Sequence, residues 1–333
     1  MKRFLTILAT AIPLLAATGP VSAAAPSTPQ VPTGVSAGYV VFDRQTGKIT
    51  SHRNAHRKFR SASAVKILIA IDYLESHKSV STGDLALLKT MLRVSDDDAA
   101  TSFWNRGGQG KIIERVARKL RLTDTAPPPS GWPGFWGYTS ISALDIAKTY
   151  RYLLDRAAPR VSDLILGHLR KAEQCGSDGF DQYFGIPRGV RGPWAVKQGW
   201  SGYGSTPPSR CRRTTVLKTT SDTAALPATP AVTTASLSHT AGLPAAPAVT
   251  TAELSRTAEL PATPAAASAR VTPAAVHPVP DFGRPVLHTT GLVGPKERWI
   301  MVLLTAHPST TTWQRSTGQV TKLAREVHLS GTS

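Results

Sequence analysis

The chain has 333 residues, enough for one large domain with a sizeable core or for two small ones, and its 41% hydrophobic content is ordinary for a globular protein. Charged residues make up only 18%, which points to an uncharged stretch that is not globular. The formal net charge of +18 raises nucleic-acid binding, but the basic residues are scattered and form no recognised nucleic-acid module, so no nucleic-acid partner is expected.

Lys2 and Arg3 precede an apolar run from Phe4 to Ala17, and Val21-Ser22-Ala23 supplies the small residues that a signal peptidase reads. Residues 1–23 therefore read as an export signal. The apolar run is too short and too interrupted for a membrane-spanning anchor. No Cys follows it, so a lipoprotein anchor is not expected. An exported basic protein works near an anionic cell wall or membrane surface; a solvated surface with no charged partner explains the charge equally well.

Residues 24–37 are rich in Pro, Ala, Ser and Thr and read as a disordered leader. Gly38 to Phe42 is a short strand, Asp43 to Gly47 a turn, and a second strand lies near Ile49. From Ser63 the pattern turns helical. Ala64, Ile67, Leu68, Ala70, Ile71 and Leu74 are apolar on almost every side, so this helix must be buried.

Shorter helices follow around residues 85–92, 99–104 and 111–120. Gly107 to Lys111 resembles part of a phosphate loop but lacks the spacing, the following Ser or Thr and the preceding strand, and reads as a turn. Ser142 to Asp145 is a capping box opening a helix to about Leu154, and another helix covers 162–172. Strands follow at 194–197, 286–292 and 299–305, the last two joined by a turn at 294–297. A final helix, 312–328, carries Val320, Leu323 and Val327 on one face. Strands, then helices, then strands and a last helix predict an α+β fold. Both ends of the chain complete one antiparallel sheet, with a helical lobe inserted between them.

Residues 214–280 differ. Leu226-Pro227-Ala228, Leu243-Pro244-Ala245 and Leu260-Pro261-Ala262 recur with a 17-residue period. These repeats have too little apolar surface to stack as a solenoid and read as a flexible Ala/Pro/Thr insert. The domain is thus expected over 38–213 and 281–330.

Ser63-Ala64-Val65-Lys66 is the central chemical signal. Positions i and i+3 of a helix share a face, so the Lys66 amine reaches the Ser63 hydroxyl. A buried lysine loses its proton more easily and can act as a base. Alone, this spacing is common. Ser95-Asp96-Asp97 lies between helices, and Lys197-Gln198-Gly199 lies on a predicted strand. Together the three resemble the S-x-x-K, S-D-N and K-T-G set of class A β-lactamases and penicillin-binding proteins, in the same order. Phe59 before the serine and the closing strands and helix also fit that family.

The resemblance implies a secreted serine hydrolase acylated at Ser63 by a β-lactam or a cell-wall peptide or amide. Lys66 would accept the Ser63 proton, Ser95 would relay a proton to the leaving nitrogen, and Lys197 would supply positive charge. Asp97, Gln198, Gly199 and Trp200 would flank the substrate, the backbone N–H groups of Ser63 and Trp200 forming an oxyanion hole.

The chain departs from the family pattern at several places. Asp97 stands for Asn, and an ionised carboxylate beside Lys66 raises its pKa, making it a poorer base. Gln198 stands for a hydroxyl residue that holds a substrate carboxylate. The segment 124–138, where class A enzymes carry a general-base Glu, has no Glu, so slow deacylation is expected. The interval from Ser63 to Ser95 is short, so the helical lobe is reduced. These departures keep a second reading open: a catalytically impaired cell-wall-binding or interaction protein on the same fold.

Trp132, Trp136, Trp194 and Trp200 are candidates to line a cleft, with packing the commoner use of Trp. The nine histidines include no pair with metal spacing, and two cysteines cannot build a zinc site, so no metal or cofactor is expected. A monomer is expected. Outside the cell, Cys175 and Cys211 are a candidate disulfide that would fasten both ends of the Lys197 segment.

Overall fold

Trp-Ile-Met-Val-Leu-Leu-Thr-Ala lacks the alternation of a half-buried strand, and in the computed structural model it is the central strand of a sheet covered on both faces. The structure describes residues 28–213 and 279–332. The strands are β1 (Ser36–Asp43), β2 (Lys48–Arg53), β5 (Trp194–Ser201), β6 (Val286–Val293) and β7 (Trp299–Ala306). Their order is β2-β1-β7-β6-β5, antiparallel throughout. Both ends of the chain therefore complete one sheet, and β5, with Lys197, is an edge strand.

Alternate residues of the central strands serve two cores. Val40, Phe42, Ile300, Val302 and Leu304 pack with the helical lobe. Tyr39, Val41, Met301 and Leu303 pack with Val320, Leu323, Ala324 and Val327 of the last helix, Trp313–Thr332. The lobe contains α1 (Lys66–Ser76), α2 (Thr82–Arg93), α3 (Asp97–Arg106), α4 (Gly110–Leu120), α5 (Ala143–Asp155) and α6 (Pro159–Leu169). α1 is buried from Lys66 to Asp72, as its all-round apolar sequence requires. α5 opens where the capping box lies, with the Ser142 hydroxyl accepting the Asp145 N–H at 3.2 Å.

Three short elements left no trace in the sequence pattern. β3 (Phe59–Arg60) pairs with β4 (Ser140–Ile141), and α7 spans Ile186–Gly189. Elements of two to four residues are too short to show a period. With α7 counted, the last helix is α8.

Residues 28–37 of the leader are more ordered than their composition suggests. The Gln30 N–H donates to Glu326 Oε2 at 2.8 Å, Val31 packs on the α8-side core, and β1 begins at Ser36, paired with Ala306. Tertiary contacts override the Pro-rich composition there. At the other boundary Val279 is already buried. The signal-type segment and the insert over 214–278 lie outside the described residues.

Cys175 and Cys211 are joined, with Cα atoms 5.5 Å apart and a sequence separation of 36. The Cys211 N–H also donates to Gly179 O at 2.8 Å, so the bridge holds the 210s segment against the 175–181 turn. Replacing both cysteines by serine is expected to cost about 3–4 kcal/mol, chiefly by freeing the unfolded chain. Thermal unfolding of oxidised, reduced and double-serine forms checks this; an unchanged Tm would show that the bridge adds no stability.

Candidate active site

Ser63 sits in a buried 3₁₀ turn, Ala62–Val65, that runs directly into α1. Ala62 has φ 43°, in the left-handed region where a side chain is disfavoured, so the turn is held by its surroundings. The Ser61 N–H donates to Thr139 O at 2.8 Å, tying the turn to the loop before α5. The Ser63 hydroxyl has no hydrogen-bond partner among the described residues.

Lys66 is fully buried one turn later. Its ammonium donates to Ser95 O and to Asp97 Oδ1, both at 2.6 Å, and lies 3.4 Å from Ser95 Oγ. The Trp136 ring covers it, with the centroid 4.7 Å from Nζ. The Trp136 indole N–H donates to Thr101 Oγ1 at 3.1 Å, fixing the ring over the amine.

Asp97 does pair with Lys66, as expected, and by itself favours the ammonium. Burial opposes it and wins, so the Lys66 pKa is lowered, not raised. Part of the reason is that the Asp97 side chain is 70% exposed, which leaves its charge screened by water.

Ser95 follows α2 with φ 59°, and Asp96 then caps α3 by accepting the Ala99 N–H at 2.8 Å. The left-handed turn aims both the carbonyl and the hydroxyl of Ser95 at the lysines. Lys197 Nζ, also buried, donates to Ser95 Oγ at 2.7 Å and to Gln198 O at 3.0 Å. A hydroxyl that accepts from Lys197 keeps its own proton free to donate. Burial, then repulsion from Lys66, pushes the Lys197 pKa well down. The Thr290 hydroxyl donates to Lys197 O at 2.8 Å and bonds the buried Tyr150 hydroxyl at 2.9 Å, anchoring β5 from behind.

β5 runs against the Ser63 turn at Gly199. A Cβ there would lie 3.0 Å from both Ala64 N and Ser61 O and 3.2 Å from Ser63 N. Only glycine lets the edge strand approach the turn this closely. Gly199→Ala is expected to slow covalent labelling of Ser63 by about 10²-fold, because it pushes strand and turn apart. Comparing labelling rates of the two proteins checks this, and equal rates would mean that the gap plays no part.

Comparisons with known proteins bear on this arrangement. No protein-family model matches the chain. PBP-A is similar in structure, with TM-score 0.53 and 13% identity over 89% of this chain and 90% of that one. A PBP-A variant of equal similarity is an acyl-enzyme complex with penicillin G. A class A β-lactamase from Mycobacterium abscessus gives TM-score 0.51 and 15% identity over 89% and 93% of the two chains. The chain has the β-lactamase and penicillin-binding-protein fold. A β-lactamase from Streptomyces albus G gives TM-score 0.51 and 14% identity over 88% and 92% of the two chains. In sequence, "Putative lipoprotein LppW" of Mycobacterium tuberculosis and Mycobacterium bovis is 38% identical over 175 residues, 50% of this chain and 54% of the relative. The chain thus spans about half the length of the curated relatives it matches.

Within the β-lactamase and penicillin-binding-protein fold, the structure brings Ser63, Lys66, Ser95, Asp97, Lys197 and Gly199 together. Gln198 is a correction. It is buried, and its amide N–H group donates to Gln182 O at 3.1 Å and Phe184 O at 2.5 Å, tying β5 to the 182–184 segment. What remains is Oε1, an acceptor without a partner among the described residues, and an acceptor cannot hold a substrate carboxylate.

The Trp200 side chain packs towards Phe180, Phe184 and Trp313, and its indole N–H donates to Asp178 Oδ2 at 3.0 Å. Of the other tryptophans, Trp136 covers Lys66, Trp132 packs on Phe135 and Tyr138, and Trp194 packs on Tyr183.

Asp178 was missed. Its carboxyl also accepts the Phe180 N–H at 3.1 Å and interacts with the charges of Lys66 and Asp97. Loss of contact with water pushes its pKa up, and the Asp97 charge adds to this. The sequence signal available was its place in a Ser-Asp-Gly turn just after Cys175, which a disulfide to Cys211 would bring beside the Lys197 strand.

Proposed function

We propose that the chain is an exported acyl-transfer enzyme that forms a covalent acyl-enzyme at Ser63 with a β-lactam or a peptide or amide of the cell wall. The observation that carries this reading is the convergence of two buried lysines, Lys66 and Lys197, on Ser95 beside the Ser63 turn. Burial favours the neutral amine that a base requires. Lys66 exchanges its contact with Asp97 for the Ser63 hydroxyl and takes its proton as Ser63 Oγ attacks the carbonyl carbon. The N–H groups of Ser63 and Trp200 stabilise the oxyanion. Ser95 passes a proton to the leaving nitrogen and regains one from the lysine side, with Lys197 holding its hydroxyl. An envelope location is supported by the lipoprotein name of the mycobacterial relative. Both cysteines of this sequence are in the disulfide, so neither is free to carry a lipid.

Deacylation has no Glu base in the 124–138 loop; its one carboxylate, Asp124, is bonded to His56 and Ser142, and Trp136 lies over Lys66 instead. General-base assistance contributes roughly 10²–10⁴-fold, so an adduct is expected to outlast that of an efficient lactamase by about this factor. Intact-mass spectrometry of the protein with a fluorescent penicillin or an activated ester follows formation and decay. Fast multiple-turnover hydrolysis would show that another group activates water. A second reading, an impaired wall-binding protein, is favoured by the Lys66–Asp97 ion pair and by the use of Gln198 in packing. It predicts no adduct at any pH together with retained binding to isolated cell wall.

A further inference from the structure

A groove of about 680 Å³ lies between α2 and α6, apart from the residues assigned to catalysis. Its floor is apolar, with Leu85 and Leu164, and Gly167 supplies no side chain to fill it. Its walls carry Lys89 and Arg93 from α2, Arg160 from α6 and Lys171 just beyond α6, against the single carboxylate of Asp163. None of these four cations forms an ion pair among the described residues, whereas Arg106, Arg115 and Arg170 are each paired with a carboxylate. Four unpaired cations of one sign around a concave surface focus a positive potential into it.

His168 reports that potential. It accepts the Arg93 Nε–H at Nδ1 at 3.1 Å, so its neutral ring carries the proton on Nε2. Partial burial, then Arg93, Lys171 and Lys89, depress its pKa to about 4. A ring held neutral among three cations adds an N–H donor to the groove and no charge, so the Asp163 carboxylate alone faces the four cations. The missing element is an anion.

We propose that the α2–α6 groove is a phosphate-anion site, in which Lys89, Arg93, Arg160 and Lys171 bind a phosphate group carried either on a soluble polyanion or on a lipid headgroup. Arginine forks and lysine point charges are the side chains that bind phosphate, and the volume suits a phosphate with a small attached body. The site does not rest on the acyl-transfer reading.

The test uses the full chain. Inorganic tripolyphosphate is titrated calorimetrically, and vesicles of phosphatidylglycerol are compared with vesicles of phosphatidylcholine. The His168 ring resonances are followed against pH in each case. Bound phosphate should cancel the repulsion of the cations and move the His168 titration up from about 4 towards the ordinary histidine value. A Lys89→Gln/Arg160→Gln/Lys171→Gln variant should bind at least roughly tenfold more weakly, since several charge-assisted contacts are lost. It should keep the wild-type Tm and the wild-type labelling at Ser63.

A His168 shift with tripolyphosphate supports a soluble polyanion. A shift with phosphatidylglycerol vesicles alone supports a lipid headgroup. If neither probe moves His168, or if the triple variant binds both as tightly as the wild type, the site is overturned, and binding elsewhere on a basic protein accounts for any heat observed.

Discussion

Ser63→Ala is expected to abolish the covalent adduct completely while leaving the fold untouched. The hydroxyl has no hydrogen-bond partner among the described residues and sits in a turn held by backbone contacts, so its removal leaves no buried group unsatisfied. The Tm should stay within a few degrees of the wild type. Lys66→Met makes the complementary test. Methionine fills much of the lysine volume, and Asp97, which loses its partner, is exposed and can turn to water. Labelling should persist but slow by roughly 10²–10⁴-fold, the usual contribution of a general base. Intact mass and peptide mapping read both variants. An adduct of equal yield on Ser63→Ala would sink the nucleophile assignment. Unchanged labelling of Lys66→Met would move the base elsewhere, with Lys197 the next group in the chain of contacts.

Much of the fold was legible because burial leaves its period in the sequence. The continuous apolar run of β7 and the all-round apolar α1 both belong to elements covered on every side. The hydroxyl of Ser142, three residues before Asp145, marked the start of α5. The site was legible to the extent that its groups come from motifs with fixed local spacing: Ser63 and Lys66 on one turn, Ser95 after a helix, Lys197 and Gly199 on a strand.

What failed to show depends on long-range packing. Gln198 was given a substrate role because of its motif position, but the 182–184 segment supplies carbonyl partners that no local pattern reveals. Asp178 reaches the site through a turn fastened by a disulfide and through the Trp200 indole. The net direction of the Lys66 shift required knowing that the amine is wholly buried while Asp97 is not. Composition also misled in the leader, where a few contacts such as Gln30 to Glu326 order a Pro-rich segment.

Asp97→Asn is expected to raise the labelling rate at neutral pH roughly tenfold, since a carboxylate in contact with a base favours its charged form. The reaction needs Lys66 as the neutral amine. The rate therefore rises with pH through the Lys66 titration and falls below it. Burial already places that titration below the ordinary lysine value, and Asp97 pulls it part of the way back. The asparagine carbonyl can still accept a hydrogen bond from Lys66, so the contact at 2.6 Å has a neutral replacement and the amine is not left unsatisfied. The charge is lost, the amine titrates at lower pH, and the acidic limb of the rate profile moves to lower pH. High salt should move the wild-type profile in the same direction by less, because the Asp97 carboxylate faces solvent and is already partly screened. At pH above the titration the two proteins should label at the same rate, since both amines are then neutral. Measuring pseudo-first-order labelling from acid to alkaline pH separates this from a general gain in activity. A variant that labels more slowly at neutral pH, with its limb moved to higher pH, would mean that Asp97 takes part in proton transfer itself and does more than hold the lysine charged.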